Sequence, residues 1–161
     1  MTDIKKQAKW DRRFMALCDH ISQWTEDREF KVGAVFVGPD LEIRSTGYNG
    51  FARSVRSDVE ERYDRASGEK FFWFEHGERN AIYNAARIGI STNTCTLYVN
   101  RFPCADCARA IIQAGISRIV CPAKPLNDGA LDHSFDVSQT MLFEAHVDVS
   151  LYSVDLTQAN A

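Results

Sequence analysis

Between Phe74 and Pro122 the sequence alternates helix, strand, helix, strand, and each helix opens on residues that helix formation does not require. "FEHGERNAIYNAARIGI", Phe74 to Ile90, carries His76, Gly77 and Glu78 at its start. "CTLYVN", Cys95 to Asn100, is a strand pattern. "FPCADCARAIIQAGI", Phe102 to Ile116, is a second helix pattern opened by Pro103, Cys104 and Cys107, and "ISRIVCP", Ile116 to Pro122, is another strand. Strands reached through helices run parallel, because a tight turn can only reverse the chain. The alternation therefore predicts a mixed sheet covered by helices, with the two helix openings at the strand ends.

The rest of the chain fits around this unit. Trp10, Phe14, Leu17, Ile21 and Trp24 recur at helical spacing and predict an apolar face on a first helix. "KVGAVFVG", Lys31 to Gly38, reads as a buried strand, and "LEIRSTGYNG" after the turn "GPD" reads as its hairpin partner. Arg53 to Lys70 is charged and without period, which predicts a long loop or insertion of the kind that more often carries function than not. Ala81, Ile82, Ala85, Ala86 and Ile88 predict a small-residue helix face, ended by Gly89. Asp128 to Asp136 reads as a turn-rich connection, Val137 to His146 as a helix and "VDVSLYSV" as a last strand. The tail "DLTQANA" is expected to fray. The predicted fold is α/β, a three-layer α/β/α sandwich around one mixed sheet, formed by residues 1–161 as one domain.

Composition excludes several classes. The 161 residues carry a net charge of -3, which argues against a duplex nucleic-acid surface. The cluster Lys5, Lys6, Lys9, Arg12 and Arg13 reads as the solvated face of the first helix. No apolar run is long enough to span a bilayer, and "MTDIKKQAKWDRRF" lacks the apolar stretch of a signal peptide. The expectation is a cytoplasmic protein without a membrane partner. Five cysteines are an odd number, which argues against a disulfide framework. Cys18, Cys95 and Cys121 stand singly in apolar contexts and read as core thiols.

Cys104 and Cys107 are paired, and with His76 they make a zinc ligand set. Zinc takes thiolate and imidazole ligands in a tetrahedron, and catalytic sites keep the fourth position open. Helix N-termini favour thiolates. Glu78 stands beside this set and suits proton transfer better than ligation. A structural zinc site needs a fourth ligand, and His20, His133 and His146 stand in no ligand-spaced pair. A thioredoxin-like redox pair would explain Cys104 and Cys107 but leave His76 and Glu78 without a role.

His-x-Glu followed by Pro-Cys-x-x-Cys resembles the zinc-dependent cytidine/deoxycytidylate deaminase superfamily, and "KVGAV", "GYNGF" and "ERNAI" look most like deoxycytidylate (dCMP) deaminases within it. The resemblance runs over more than half of the chain. It implies a five-stranded mixed sheet, zinc on His76, Cys104 and Cys107, and Glu78 carrying protons from water to N3 and then to the leaving ammonia. It also implies Asn49 on the sugar, the Gly77 N–H on the O2 carbonyl, and the Cys104 carbonyl on the amino group. Gly77 stands where many relatives have Ala, and Ala52 where many dCMP deaminases have Pro. Residues 53–70 hold neither Cys nor His, so no second zinc is expected there.

The expected reaction is hydrolysis of dCMP to dUMP and ammonia. Free cytosine, cytidine or deoxycytidine, and another aminated heterocycle are the alternative substrates; a zinc-bearing assembly module is the non-enzymatic alternative, against which Glu78 argues. A phosphate would need cations, and Arg28, Lys31, Arg53 and Arg56 flank the relevant motifs. A homo-oligomer is expected from the resemblance.

Overall fold

A computed structural model describes residues 3–153, so the expectation for the "DLTQANA" tail lies outside the described residues. The chain opens on α1 (Asp3–Ser22), then forms β1 (Gly33–Val37) and β2 (Ile43–Tyr48). Short elements follow: β3 (Gly50–Phe51), a 3-10 turn (Glu60–Tyr63), α2 (Lys70–Trp73) and β4 (Phe74–Glu75). The alternating unit comprises α3 (Gly77–Ile88), β5 (Thr96–Val99), α4 (Ala105–Gln113), β6 (Arg118–Cys121), α5 (Asp132–Glu144) and β7 (Asp148–Leu151).

The sheet is five-stranded, in the order β2-β1-β5-β6-β7. β1 pairs antiparallel with both β2 and β5, placing Ala34 opposite Gly47 on one side and Val99 on the other. β5, β6 and β7 are parallel, as their helical connections require. Side chains of one strand point alternately to the two faces, so β1 feeds two cores. Val35 and Val37, with Tyr98 and Val120, meet Phe14, Met15, Cys18 and Ile21 of α1. Ala34 and Phe36, with Leu97, Val99 and Ile119, meet residues of α3, α4 and α5 on the other face. This is the expected three-layer α/β/α sandwich. No helix among the described residues is long and apolar enough to cross a membrane.

The hairpin, the buried β1 and the parallel strands agree with the sequence. The basic residues of α1 are exposed, and all five cysteines are unpaired and buried. Four details differ. Trp24 lies past the end of α1 and is 55% exposed, resting edge-on against His20 and Tyr48. Only Ala81 and Ala85 of the predicted small-residue face are buried; Ala86 and Ile88 rotate into solvent. The 53–70 stretch contains the 3-10 turn and ends where α2 begins. α5 begins five residues before the expected Val137. The Asp132 carboxylate accepts the N–H groups of Asp128 and Gly129, closing the preceding turn, and burial of Phe135 against Phe102 holds the first helical turn in place.

Gly47 decides how closely α3 sits on the sheet. A Cβ there would lie 2.3 Å from the Ala81 nitrogen and 2.4 Å from the Gly77 oxygen, both helix backbone. Only a residue without Cβ lets the first turns of α3 touch β2, and the first turn of α3 carries the site.

Candidate zinc centre and active-site cleft

His76 is the N-cap of α3 and Cys104 the N-cap of α4, both with extended backbone (ψ 153° and 173°). An N-cap side chain ordinarily accepts a hydrogen bond from its own first turn. Neither does so here. Both point across the gap between the helices. His76 Nδ1 lies 3.4 Å from Cys104 Sγ and 3.4 Å from Cys107 Sγ. The three ligand atoms lie within 4.8 Å of one another, and among the described residues no fourth His, Cys or carboxylate joins them. Tetrahedral zinc with the usual Zn–S and Zn–N lengths separates neighbouring ligand atoms by about 3.6 Å. The trio therefore fits zinc, with a coordination position to spare.

Its electrostatics suit a soft cation. The Cys104 thiol is pulled down to about 4, first by its hydrogen bond with Cys107 and then, against burial, by His76. Burial pushes Cys107 well above the usual thiol range. Burial works to lower His76, but the hydrogen bond and charge of Cys104 outweigh it and the net shift is upward. Glu78, 3% exposed, is raised by burial, with His76 pulling the other way. The environment thus holds a thiolate for metal and a carboxyl group ready to exchange a proton.

His76, Glu78 and Cys104 line a cleft that opens to solvent at its mouth, together with Val32 and Asn49. Asn49 is buried and its amide is already engaged. Nδ2 donates to Asp27 Oδ2 at 2.8 Å and to the Phe30 carbonyl at 2.8 Å, and Oδ1 accepts the Val32 N–H at 2.9 Å. Its donors are used, so a substrate hydroxyl can only donate to the remaining lone pair of Oδ1. Gly77 is buried in the first turn of α3, where backbone N–H groups have no partner within the helix. A Cβ on it would come within 3.1 Å of the Val32 carbonyl, a tight fit. The Cys104 carbonyl accepts the Ala108 N–H at 2.8 Å and keeps one lone pair.

The cations read from sequence do not line this cleft. Arg28 is exposed, paired with Glu60 and stacked 4.5 Å from the Tyr63 ring centroid. Lys31 is exposed and reaches Gln23 at 3.4 Å. Arg53 bonds to Asn84, and Arg56 pairs with Asp58 at 2.9 Å, both in solvent. Arg65, Lys70 and Arg101 line the cleft instead, around Phe30. Sequence reading missed them because no motif marks them; Arg101, three residues before Cys104, was the nearest to a signal.

Residues 8–123 match the family described as the cytidine and deoxycytidylate deaminase zinc-binding region. The chain is 33% identical over 150 residues to an uncharacterised deaminase of Aliivibrio fischeri, covering 92% of this chain and 97% of that protein. It is 32% identical over 123 residues to the deoxycytidylate deaminase of Homo sapiens, covering 74% of this chain and 68% of the human one. The fold is similar to that of the dCMP deaminase of cyanophage S-TIM5 in complex with dCMP and dUMP, with TM-score 0.69, 23% identity, and coverage of 94% of this chain and 99% of that one.

Proposed function

Because the chain belongs to the cytidine and deoxycytidylate deaminase family, with its zinc-binding region, we propose that it hydrolyses a cytosine nucleotide, dCMP, to dUMP and ammonia. The observation that carries this reading is the meeting of the His76, Cys104 and Cys107 ligand atoms beside buried Glu78 in one cleft. Similarity to the human deoxycytidylate deaminase supports dCMP over free cytosine or a nucleoside.

His76 and the two thiolates would hold zinc, which when bound supplies the Lewis acidity that makes water nucleophilic at neutral pH. Glu78 takes a proton from the attacking water and delivers it to N3 as the bond from oxygen to C4 forms. It then carries a proton to the exocyclic nitrogen, so that the C4–N bond breaks and ammonia leaves. Water supplies the oxygen and the protons; nothing is oxidised or reduced. Oδ1 of Asn49 accepts from the sugar, the Gly77 N–H donates to O2, and the Cys104 carbonyl accepts from the amino group. Residues 1–161 act as one deaminase domain in a cytoplasmic homo-oligomer, without membrane or duplex nucleic-acid partners.

The test is ammonia release by the zinc-loaded protein from cytosine, cytidine, deoxycytidine, CMP and dCMP. The expected result is the highest kcat/KM for dCMP. Equal or better turnover of cytosine or deoxycytidine would move the function to the free base or nucleoside.

A further inference from the structure

Arg65 comes from the 53–70 segment and Arg101 from the loop before Cys104, yet both give a guanidinium N–H to the same carboxylate. Arg65 Nη2 lies 2.5 Å from Asp128 Oδ1, and Arg101 Nη2 bonds to Oδ2. The Asp128 side chain is 4% exposed, so the carboxylate sits behind the two cations and both its oxygens are occupied. One carboxylate balances one guanidinium, which leaves a positive charge over. Lys70 does not share in that surplus, because buried Asp27 neutralises it at 2.7 Å.

Each guanidinium has five N–H groups. Among the described residues, Arg65 and Arg101 each give only one of them to a protein acceptor. Their guanidinium carbons lie 4.6 and 4.2 Å from the ring centroid of Phe30, which fixes their planes without consuming N–H groups. Both side chains are largely buried, and both line the cleft that holds His76, Glu78 and Cys104. Arg101 and Cys104 are three residues apart, which limits their Cα separation to about 11 Å. Two oriented forks with spare donors and a net positive charge match a phosphate dianion, since guanidinium N–H pairs align with two phosphate oxygens.

We infer that Arg65 and Arg101, held in place by Asp128, bind the substrate's 5′-phosphate and set the preference for nucleotide over nucleoside. The inference rests on the nucleotide reading above for its ligand, but not on turnover. It also assigns the 53–70 segment a role: bringing Arg65 over the cleft.

The experiment compares dUMP and deoxyuridine, which are products and undergo no deamination, by calorimetric titration into zinc-loaded protein. The unaltered protein is expected to bind dUMP at least tenfold more tightly than deoxyuridine. Arg65→Gln and Arg101→Gln should each remove most of that preference while leaving deoxyuridine affinity within about twofold, and Arg28→Gln and Arg53→Gln should leave both affinities unchanged. Zinc content and circular dichroism check the fold. If Arg101→Gln fails either check, Arg65→Gln and Arg101→Lys carry the test, the lysine keeping charge but losing the fork. No dUMP preference in the unaltered protein, a preference retained in the variants, or equal loss of both ligands would overturn the inference. A retained dUMP preference with no dCMP hydrolysis would overturn the proposed reaction alone.

Discussion

Lys70 Nζ donates to Asp27 Oδ1 at 2.7 Å, and the two side chains are 7% and 3% exposed. The other Asp27 oxygen accepts from Asn49 Nδ2 at 2.8 Å. A lysine six positions before His76 thereby sets the orientation of the amide that closes one wall of the cleft. A buried pair of this kind costs desolvation to form, but removing one partner is far worse, because the other charge stays behind uncompensated.

Lys70→Met is therefore expected to destabilise the fold by about 3–5 kcal/mol. The double variant Lys70→Met/Asp27→Asn should recover part of that loss, since no buried charge is left over. Urea denaturation of both variants measures the difference. A single variant as stable as the unaltered protein would show that the pair carries no such penalty.

The ligand geometry predicts about one zinc per chain. Cys104→Ser and Cys107→Ser should each lose most of the metal, and a chelator should lower the Tm of the unaltered protein but not of the variants, because a ligand that binds only the folded state stabilises it. Metal analysis and thermal melting provide the readout; full zinc retention in both variants contradicts the assignment.

Glu78→Gln should keep zinc and lose turnover by about 10²–10⁴-fold, because an amide fills the space without carrying protons. Its Tm should not fall, since the change removes a carboxylate whose charged form burial penalises. Near-normal kcat in this variant would take Glu78 out of the mechanism.

Gly47→Ala should cost about 1–3 kcal/mol and weaken zinc binding together, because its Cβ would press on the backbone of the α3 turn that starts at His76. Gly50→Ala is the control, as nothing lies within 4 Å of the added Cβ. Undiminished zinc affinity in Gly47→Ala would separate the helix position from the metal site.

The principal elements and the candidate metal ligands were legible in the sequence, but the start of α5 and the short elements between β2 and α3 were not. An apolar run marks the buried strand, read over Lys31 to Gly38 and found at Gly33–Val37, and helical spacing marks the α1 face that buries Phe14 and Ile21. His76, Glu78, Cys104 and Cys107 were legible because each half of the set occupies a few consecutive residues at one helix opening, and the strand–helix alternation brings the halves together. The polar surroundings of the cleft were not legible. Asn49 meets Asp27 and Asp27 meets Lys70 across 22 and 43 positions of chain, and Arg65 and Arg101 meet Asp128 across 63 and 27. No period or spacing links such residues. A long charged side chain has many rotamers and takes a partner only after the backbone has put one within reach. Arg28 and Arg53 also lie beside recognisable motifs, yet Glu60 and Asn84, 32 and 31 positions away, hold them in solvent. Ligand identity is thus written in short stretches of chain, whereas the choice of cations that face the cleft belongs to the tertiary structure, because it depends on which distant loops converge there.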